Sequence, residues 1–322
     1  MASEFDFIQR YCRRSTQHTD LGVGDDAALF TVSSGYQLAV STDMLVAGVH
    51  FFMDVDPLFL GRKSAAVNLS DMAAMGATPR WATLAMSLSE VDEVWLNAFS
   101  YGFHTALSEH HVDWVGGDTT RGPLNLAVTI MGEVASGSAL KRANAQVNDD
   151  IWVSGSVGDA AWGLKYLNCE VELTPEEQQY FRSRLDNPTP RVALGQALRS
   201  LAHSAIDISD GLLADLNHIL LASKVGAVVD STSVPVSNLL ASYTNTATYW
   251  QAVLSGGDDY ELCFTAPKKN ALAISKLADT LHLPLTRIGQ IVDDAGKREL
   301  LNLPQDLLVE QYWQGYDHFK EE

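Results

Sequence analysis

Cysteine is scarce in this 322-residue chain, and the three it has, Cys12, Cys169 and Cys263, lie far apart with no C-x-x-C pair. An odd number at such spacing excludes a disulfide framework and offers no zinc or thiol-redox motif, so a reducing cytoplasm is the expected compartment. Basic residues are few as well: 22 lysines and arginines face 40 aspartates and glutamates, a formal net charge of -18 with no local Lys/Arg run. That field repels nucleic-acid backbones and anionic lipid, and neither is an expected partner. Long apolar runs are missing. No stretch reaches the roughly 18 residues of a membrane span, and the opening MASEFDFIQR has neither a basic nor an apolar leader segment, so neither export nor a membrane crossing is expected. The 9 histidines show no H-x-x-x-H spacing and no cysteine partner, which leaves a zinc centre without support. No Ser-His-Asp set, Walker A loop, or protein-kinase H-R-D and D-F-G pair occurs either.

What is present is an ordinary globular composition, 46% hydrophobic and 19% charged, with enough apolar sequence for a packed core. At roughly 100 to 200 residues per domain, the length favours two. Strand-like runs beginning at Gln37, Trp81 and Leu124 alternate with helical periodicity over 58–75 and 92–109. In the second of those helices Asp92 is the expected N-cap, and Val94, Trp95, Ala98, Phe99, Phe103 and Ala106 recur at helical spacing. The polar KRANAQVNDD from Lys141 lacks periodicity and reads as a linker, dividing the chain into an N-terminal domain, 1–147, and a C-terminal one, 148–322. Beyond it come a strand at IWVSGS, helices near 175–184 and 191–203, the strand AIDIS, a further helix and the strand AVVDST. The expected fold class is α/β (α+β), with a mixed sheet in the first half and an α/β domain in the second.

A short motif recurs. Gly-Asp stands at 24–25, 117–118, 158–159 and 257–258, while Asp43, Asp71, Asp207 and Asp210 close or follow apolar runs, so these carboxylates are expected where loops begin. Glycine permits positive φ and close approach of a ligand, and a neighbouring carboxylate offers the hard oxygen that Mg²⁺ prefers. Any one such pair is adequately explained as turn composition. The six acid-bearing segments GDDAA, STDM, NLSDMAAMG, GGDTT, DISDGL and GGDDYE would repel one another strongly, and a site holding several cations answers that repulsion better. Gly22 to Ala27 fits G-x-G-x-x-A, but its two aspartates would repel a bare pyrophosphate, which argues against a dinucleotide fold. His50, alone near aromatics, reads by itself as a hydrogen-bonded structural residue.

The same segments are colinear almost from end to end when extended to STDMLVAGVHF from Ser41, NLSDMAAMGATP from Asn68, GGDTTRG from Gly116, GGDDYELCF from Gly256 and GYDHF from Gly315. In them the chain resembles the bacterial thiamine-monophosphate kinases, and more loosely the aminoimidazole-ribonucleotide and selenophosphate synthetases. The resemblance implies a two-domain synthetase-like fold whose N-terminal domains pair in a homodimer. It also implies ATP-dependent phosphorylation of thiamine monophosphate to thiamine diphosphate. Carried over by motif, Asp26, Ser41, Thr42, Asp43, Asp71, Asp118 and Asp207 would hold Mg²⁺ ions, with Asp210 on a further ion. Tyr101, Gly117, Asp118, Arg142 and Ser209 would meet ATP, and His50, Asp258 and Tyr316 the thiamine phosphate. Two departures stand out. The family usually reads GGEDYE where this chain has GGDDYE, which shortens Asp258 by one methylene, and Ala47 replaces a frequent Glu.

No general base is expected, because a phosphate monoester with a second pKa near 6 is already largely dianionic at neutral pH. The difficulty is repulsion between ATP and that dianion, which bound cations relieve. Two other readings remain. A related ATP-using synthetase of the selenium type would carry a reactive Cys in a glycine-rich segment, and FIQRYCRRST around Cys12 has no glycine. A non-catalytic Mg²⁺- or nucleotide-binding module would make no ADP with any acceptor.

Overall fold

The computed structural model describes Tyr11 and residues 15–244, 246–304, 307 and 309–315. The chain forms two compact units, Met1–Met72 with Ala77–Ala139 and Ala73–Gly76 with Leu140–Glu322. Among the described residues no helix is long and apolar enough to cross a membrane.

The first unit is built on a four-stranded sheet of β1 (Tyr36–Val46), β2 (Thr78–Leu88), β3 (Asp113–Arg121) and β4 (Asn125–Ala135), in the order β1-β4-β2-β3. β1 and β2 each run antiparallel to β4, and β2 runs parallel to β3, so the sheet is mixed. Helix α1 (Pro57–Ala74) carries Leu60, Leu69 and Met72 fully out of solvent, as expected of a helix covered on more than one side. Helix α2 (Glu93–Glu109) opens as its sequence indicates: the Asp92 carboxylate accepts Val94 N at 2.8 Å and Trp95 N at 3.2 Å. The two helices cross closely because both lack a side chain at the contact. A Cβ on Gly61 would lie 2.1 Å from Phe99 O, and one on Gly102 2.0 Å from Leu58 O.

The second unit holds a six-stranded sheet of β5 (Asp150–Ser154), β6 (Ser204–Asp207), β7 (Gly226–Asp230), β8 (Leu262–Ala266), β9 (Leu285–Val292) and β10 (Arg298–Leu301), ordered β10-β7-β9-β5-β8-β6. Its described helices are α3 (Asp159–Leu167), α4 (Pro175–Asp186), α5 (Val192–Leu198), α6 (Leu212–Ser223), α7 (Ala247–Ser255) and α8 (Ala271–Leu281). The core joins Ile151 and Val153 of β5 to Leu212, Leu216 and Ile219 of α6, with Trp162 and Phe181 from α3 and α4. α5 ends five residues earlier than its sequence pattern suggests. Ala202 N reaches back to Leu198 O at 2.8 Å, and His203 N is already in the sheet ladder, donating to Thr265 O at 2.8 Å. The polar segment from Lys141 packs on this unit: Arg142–Asn144 is a 3-10 turn, with Arg142 O accepting Ser223 Oγ at 2.7 Å.

Candidate functional site

In the first unit the strand period decides which candidates can act together. Along β1, Ser41, Asp43 and Leu45 alternate with the more exposed Val40, Thr42 and Met44. Ser41 Oγ donates to Asp71 Oδ2 of α1 at 2.5 Å, which joins two candidate metal ligands from separate elements. Thr42 points to the other face, where its hydroxyl shares a 2.8 Å hydrogen bond with Thr129 Oγ1 of β4. Only its main chain accompanies Ser41 and Asp43. β1 then turns sharply. Gly48 adopts φ 78° and its N–H bonds to Phe51 O at 2.9 Å. His50 follows in that turn, with Nδ1 accepting Val46 N at 2.9 Å. An acceptor Nδ1 carries no proton, so the ring is neutral and Nε2–H is its donor.

Asp26 sits at the exposed tip of a loop closed by Leu21 and Leu29, whose main chains exchange hydrogen bonds of 3.0 and 2.8 Å. That loop is anchored at its base. Buried Asp113 of β3 accepts Gln17 N at 2.8 Å, His18 N at 2.6 Å and Thr19 Oγ1 at 2.7 Å, and Phe30 stacks on Trp81 at 4.2 Å. Asp118 and Gly117 lie within β3, not in a turn after it. A Cβ on Gly117 would fall 1.8 Å from Leu84 O of β2, so the glycine serves the approach of two strands. Tyr101 is exposed on α2. Asp43, Asp71 and Asp118 thus all lie inside regular elements, which corrects the expectation that they stand where loops begin. The apolar runs continue past them, with Leu45 and Val46 still pairing to Leu126 and Asn125.

In the second unit Asp207 ends β6, and Ser209, Asp210 and Gly211 turn the chain into α6. This turn is laddered to the Gly256–Glu261 segment. Ile208 N donates to Glu261 O and Tyr260 N to Ile208 O, both at 2.8 Å, and Asp258 N donates to Ser209 O at 2.9 Å. The candidates Ser209 and Asp258, far apart in sequence, therefore share one hydrogen bond. Asp258 and Tyr260 both hold positive φ, 67° and 50°, and the Tyr260 hydroxyl donates to Asp258 Oδ1 at 3.1 Å. Arg142 is exposed on its 3-10 turn, and Tyr316 lies outside the described residues.

Two residues escaped the sequence reading, Asp215 and Glu261, and a third, Asp259 of the GGDDYE turn, is buried and not open to a cation as its motif suggests. Asp215 of α6 is buried, and burial, then the charges of Asp207 and Asp210, push its carboxyl well above the ordinary range against the lowering effect of main-chain N–H groups. An acid in the first turn after D-I-S-D-G was the available signal. Glu261 is fully buried, taking Ser154 Oγ at 2.6 Å and Arg191 through Nε at 2.6 Å and Nη2. Asp259 accepts Gly158 N at 2.8 Å. Of the four Gly-Asp pairs, Gly158–Asp159 is architectural: Asp159 is fully buried and takes hydroxyl bonds from Ser156, Tyr180 and Ser237.

Every candidate metal donor is a hydroxyl, carboxylate or main-chain oxygen, the hard set suited to Mg²⁺. Among the described residues, no three His, Cys, Asp or Glu side chains gather closely enough to hold an ion by themselves.

The AIR synthase related protein N-terminal domain matches residues 24–134, and the corresponding C-terminal domain matches 146–301. The thiamine-monophosphate kinase of Salmonella typhimurium is 46% identical over 321 residues, 98% of each chain. A crystal structure of thiamine-monophosphate kinase from Stenotrophomonas maltophilia is 46% identical with a TM-score of 0.85, covering 94% of this chain and 96% of that one. The complex of AaThiL with AMPPCP and TMP is 30% identical with a TM-score of 0.77, covering 92% of each. With full-length identity at this level on a matching fold, the chain belongs to the thiamine-monophosphate kinases, a family of AIR synthase related proteins.

Proposed function

We infer that this enzyme transfers the γ-phosphoryl group of ATP to the phosphate of thiamine monophosphate, giving ADP and thiamine diphosphate. The observation that carries it is the full-length identity to the kinases, joined to an AMPPCP and TMP complex of the same fold. An oxygen of the acceptor phosphate bonds to the γ-phosphorus while the bond from that phosphorus to the β–γ bridging oxygen breaks. The acceptor is nucleophilic as a dianion, so the protein's task is alignment and charge compensation.

The side chains divide that task. His50, neutral with Nε2–H as donor, offers a hydrogen bond to an acceptor oxygen without adding charge. Asp258 meets the cationic side of thiamine monophosphate, its shorter carboxylate held by the Tyr260 hydroxyl. Gly117, Asp118, Tyr101, Arg142 and Ser209 bind ATP, and Tyr316 completes the thiamine contact. Asp26, Ser41, the Thr42 main chain, Asp43, Asp71, Asp118, Asp207 and Asp210 hold several Mg²⁺ ions. When bound, these supply positive charge to the phosphates and to the oxygen leaving with ADP. The 2.5 Å bond from Ser41 to Asp71 supports two of those assignments, because it orients the carboxylate.

The homodimer rests on β1. It is an edge strand whose outer face shows Leu38, Val40 and Met44 at 40%, 57% and 58% exposure, an apolar row that a second copy would cover. A cytoplasmic location is part of the same reading. Purified protein given MgATP with thiamine monophosphate, or with free thiamine, and resolved by chromatography tests the whole reading. Thiamine diphosphate from the monophosphate is expected, and its absence ends the assignment. Asp43→Asn and Asp71→Asn should each abolish most turnover with the fold intact. Near-full activity with unchanged Mg²⁺ dependence in both would remove the metal assignments.

A further inference from the structure

Asp215 stands in the first turn of α6 and is 2% exposed. Its Oδ2 accepts three successive main-chain N–H groups: Ser209 at 3.1 Å, Asp210 at 3.0 Å and Gly211 at 3.1 Å. Consecutive N–H groups aimed at one point form a nest of the kind that binds anions. Here the chain fills the nest with its own side chain, so the nest serves to fix the turn and not to receive a ligand.

The turn is held from its other side as well. Ser209 O accepts Asp258 N at 2.9 Å. A Cβ on Gly257 would lie 2.2 Å from Ser209 O, and one on Gly211 would lie 2.6 Å from the Ser255 main chain. With main chain packed this closely, a turn that shifts carries the Asp258 amide with it. We propose that Asp215 is a positioning residue for both substrates: its carboxyl oxygen sets the Ser209–Gly211 turn that meets the nucleotide and, through Ser209 O, the segment that presents Asp258 to thiamine monophosphate. The identity of those substrates rests on the kinase reading above. The geometry of the turn does not.

The test uses the full chain with Asp215→Ala and Asp215→Asn. Asparagine keeps an oxygen able to accept the same three N–H groups, whereas alanine orphans them. Two readouts are taken: initial rates of thiamine diphosphate formation with MgATP and thiamine monophosphate varied in turn, and hydrogen exchange of the peptide spanning residues 207–215. Asp215→Ala should raise KM for both substrates at least about tenfold, lower kcat less, and speed exchange of the 209–211 amides, since each loses its buried acceptor. Asp215→Asn should keep both KM values within about threefold and preserve protection. Equal loss in both variants overturns the proposal by making charge the active property, and so does wild-type KM with wild-type protection in Asp215→Ala. If the alanine variant does not fold, asparagine decides alone: retained KM and protection support the role, and their loss overturns it. A wild-type protein that makes no thiamine diphosphate would sink the kinase reading, while the exchange result would still judge the turn.

Discussion

Replacing Asp259 with asparagine isolates one buried proton. Asp259 is 4% exposed; its Oδ2 accepts Gly158 N at 2.8 Å, and its Oδ1 has no hydrogen-bond partner among the described residues. The groups facing it are Asp159 and Glu261, which oppose its ionisation, and Arg184 and the Gly158 N–H, which favour it. Burial outweighs them all and holds the carboxyl well above the ordinary 3.8, so the folded protein keeps Asp259 neutral at pH values where the unfolded chain has released its proton. Inside that window the native state binds more protons than the unfolded state, and stability falls as pH rises. Below about pH 3.8 both states are protonated and the effect vanishes. Asparagine keeps the oxygen for Gly158 and cannot ionise. The stability of Asp259→Asn relative to wild type should therefore climb by about 1.4 kcal/mol for each pH unit inside the window. Urea midpoints of the two proteins, compared by circular dichroism at a series of pH values from about 3.8 upward, read this as a difference between them. Parallel profiles for the two proteins would refute a neutral Asp259.

Three further changes probe other parts of the molecule. Glu261→Gln strips Arg184 and Arg191 of a buried counter-charge and should cost about 3 to 5 kcal/mol in urea unfolding of the second unit, where a loss below about 1 kcal/mol would mean the pair contributes little. Gly117→Ala drives a methyl to 1.8 Å from Leu84 O and should lower the first unit's stability by more than about 2 kcal/mol; an unchanged midpoint would show that β2 and β3 can part without cost. Val40→Lys with Met44→Lys charges the outer face of β1 and should convert the proposed dimer to monomer in sedimentation, with an unchanged circular dichroism spectrum. A double variant that stays dimeric would place the contact elsewhere.

Much of this architecture is legible from local chemistry. Asp92 caps α2 as its sequence says, and strand-like runs from Gln37, Trp81 and Leu124 become β1, β2 and β4. The strand misreadings share one cause. Ser41 and Asp43 occupy inward positions of an alternating strand, and polar residues on the inner face read in one dimension as a strand ending. Gly117 carries the same ambiguity, because a glycine forced by a neighbouring strand looks like a glycine in a turn. Asp215 escaped because its partners are three main-chain N–H groups, which no residue type advertises.

The Gly-Asp motif shows how far sequence can separate structural from chemical acids. Gly158–Asp159 and Gly117–Asp118 are written alike. In the first, the glycine is a left-handed N-cap, and the aspartate is fully buried among the hydroxyls of Ser156, Tyr180 and Ser237 with Arg184 Nε at 3.7 Å. Such an acid is already compensated, and reaching a ligand would require unfolding its surroundings. In the second, the glycine lets two strands close, and Asp118 remains exposed on β3. An exposed carboxylate fixed on a strand costs little to desolvate part-way and can meet an incoming cation without rearranging the backbone. The distinction is one of solvation, not of residue type. It explains why a chain with a formal charge of -18 can bury Asp159 and Glu261 against arginines and still keep acids such as Asp118 exposed.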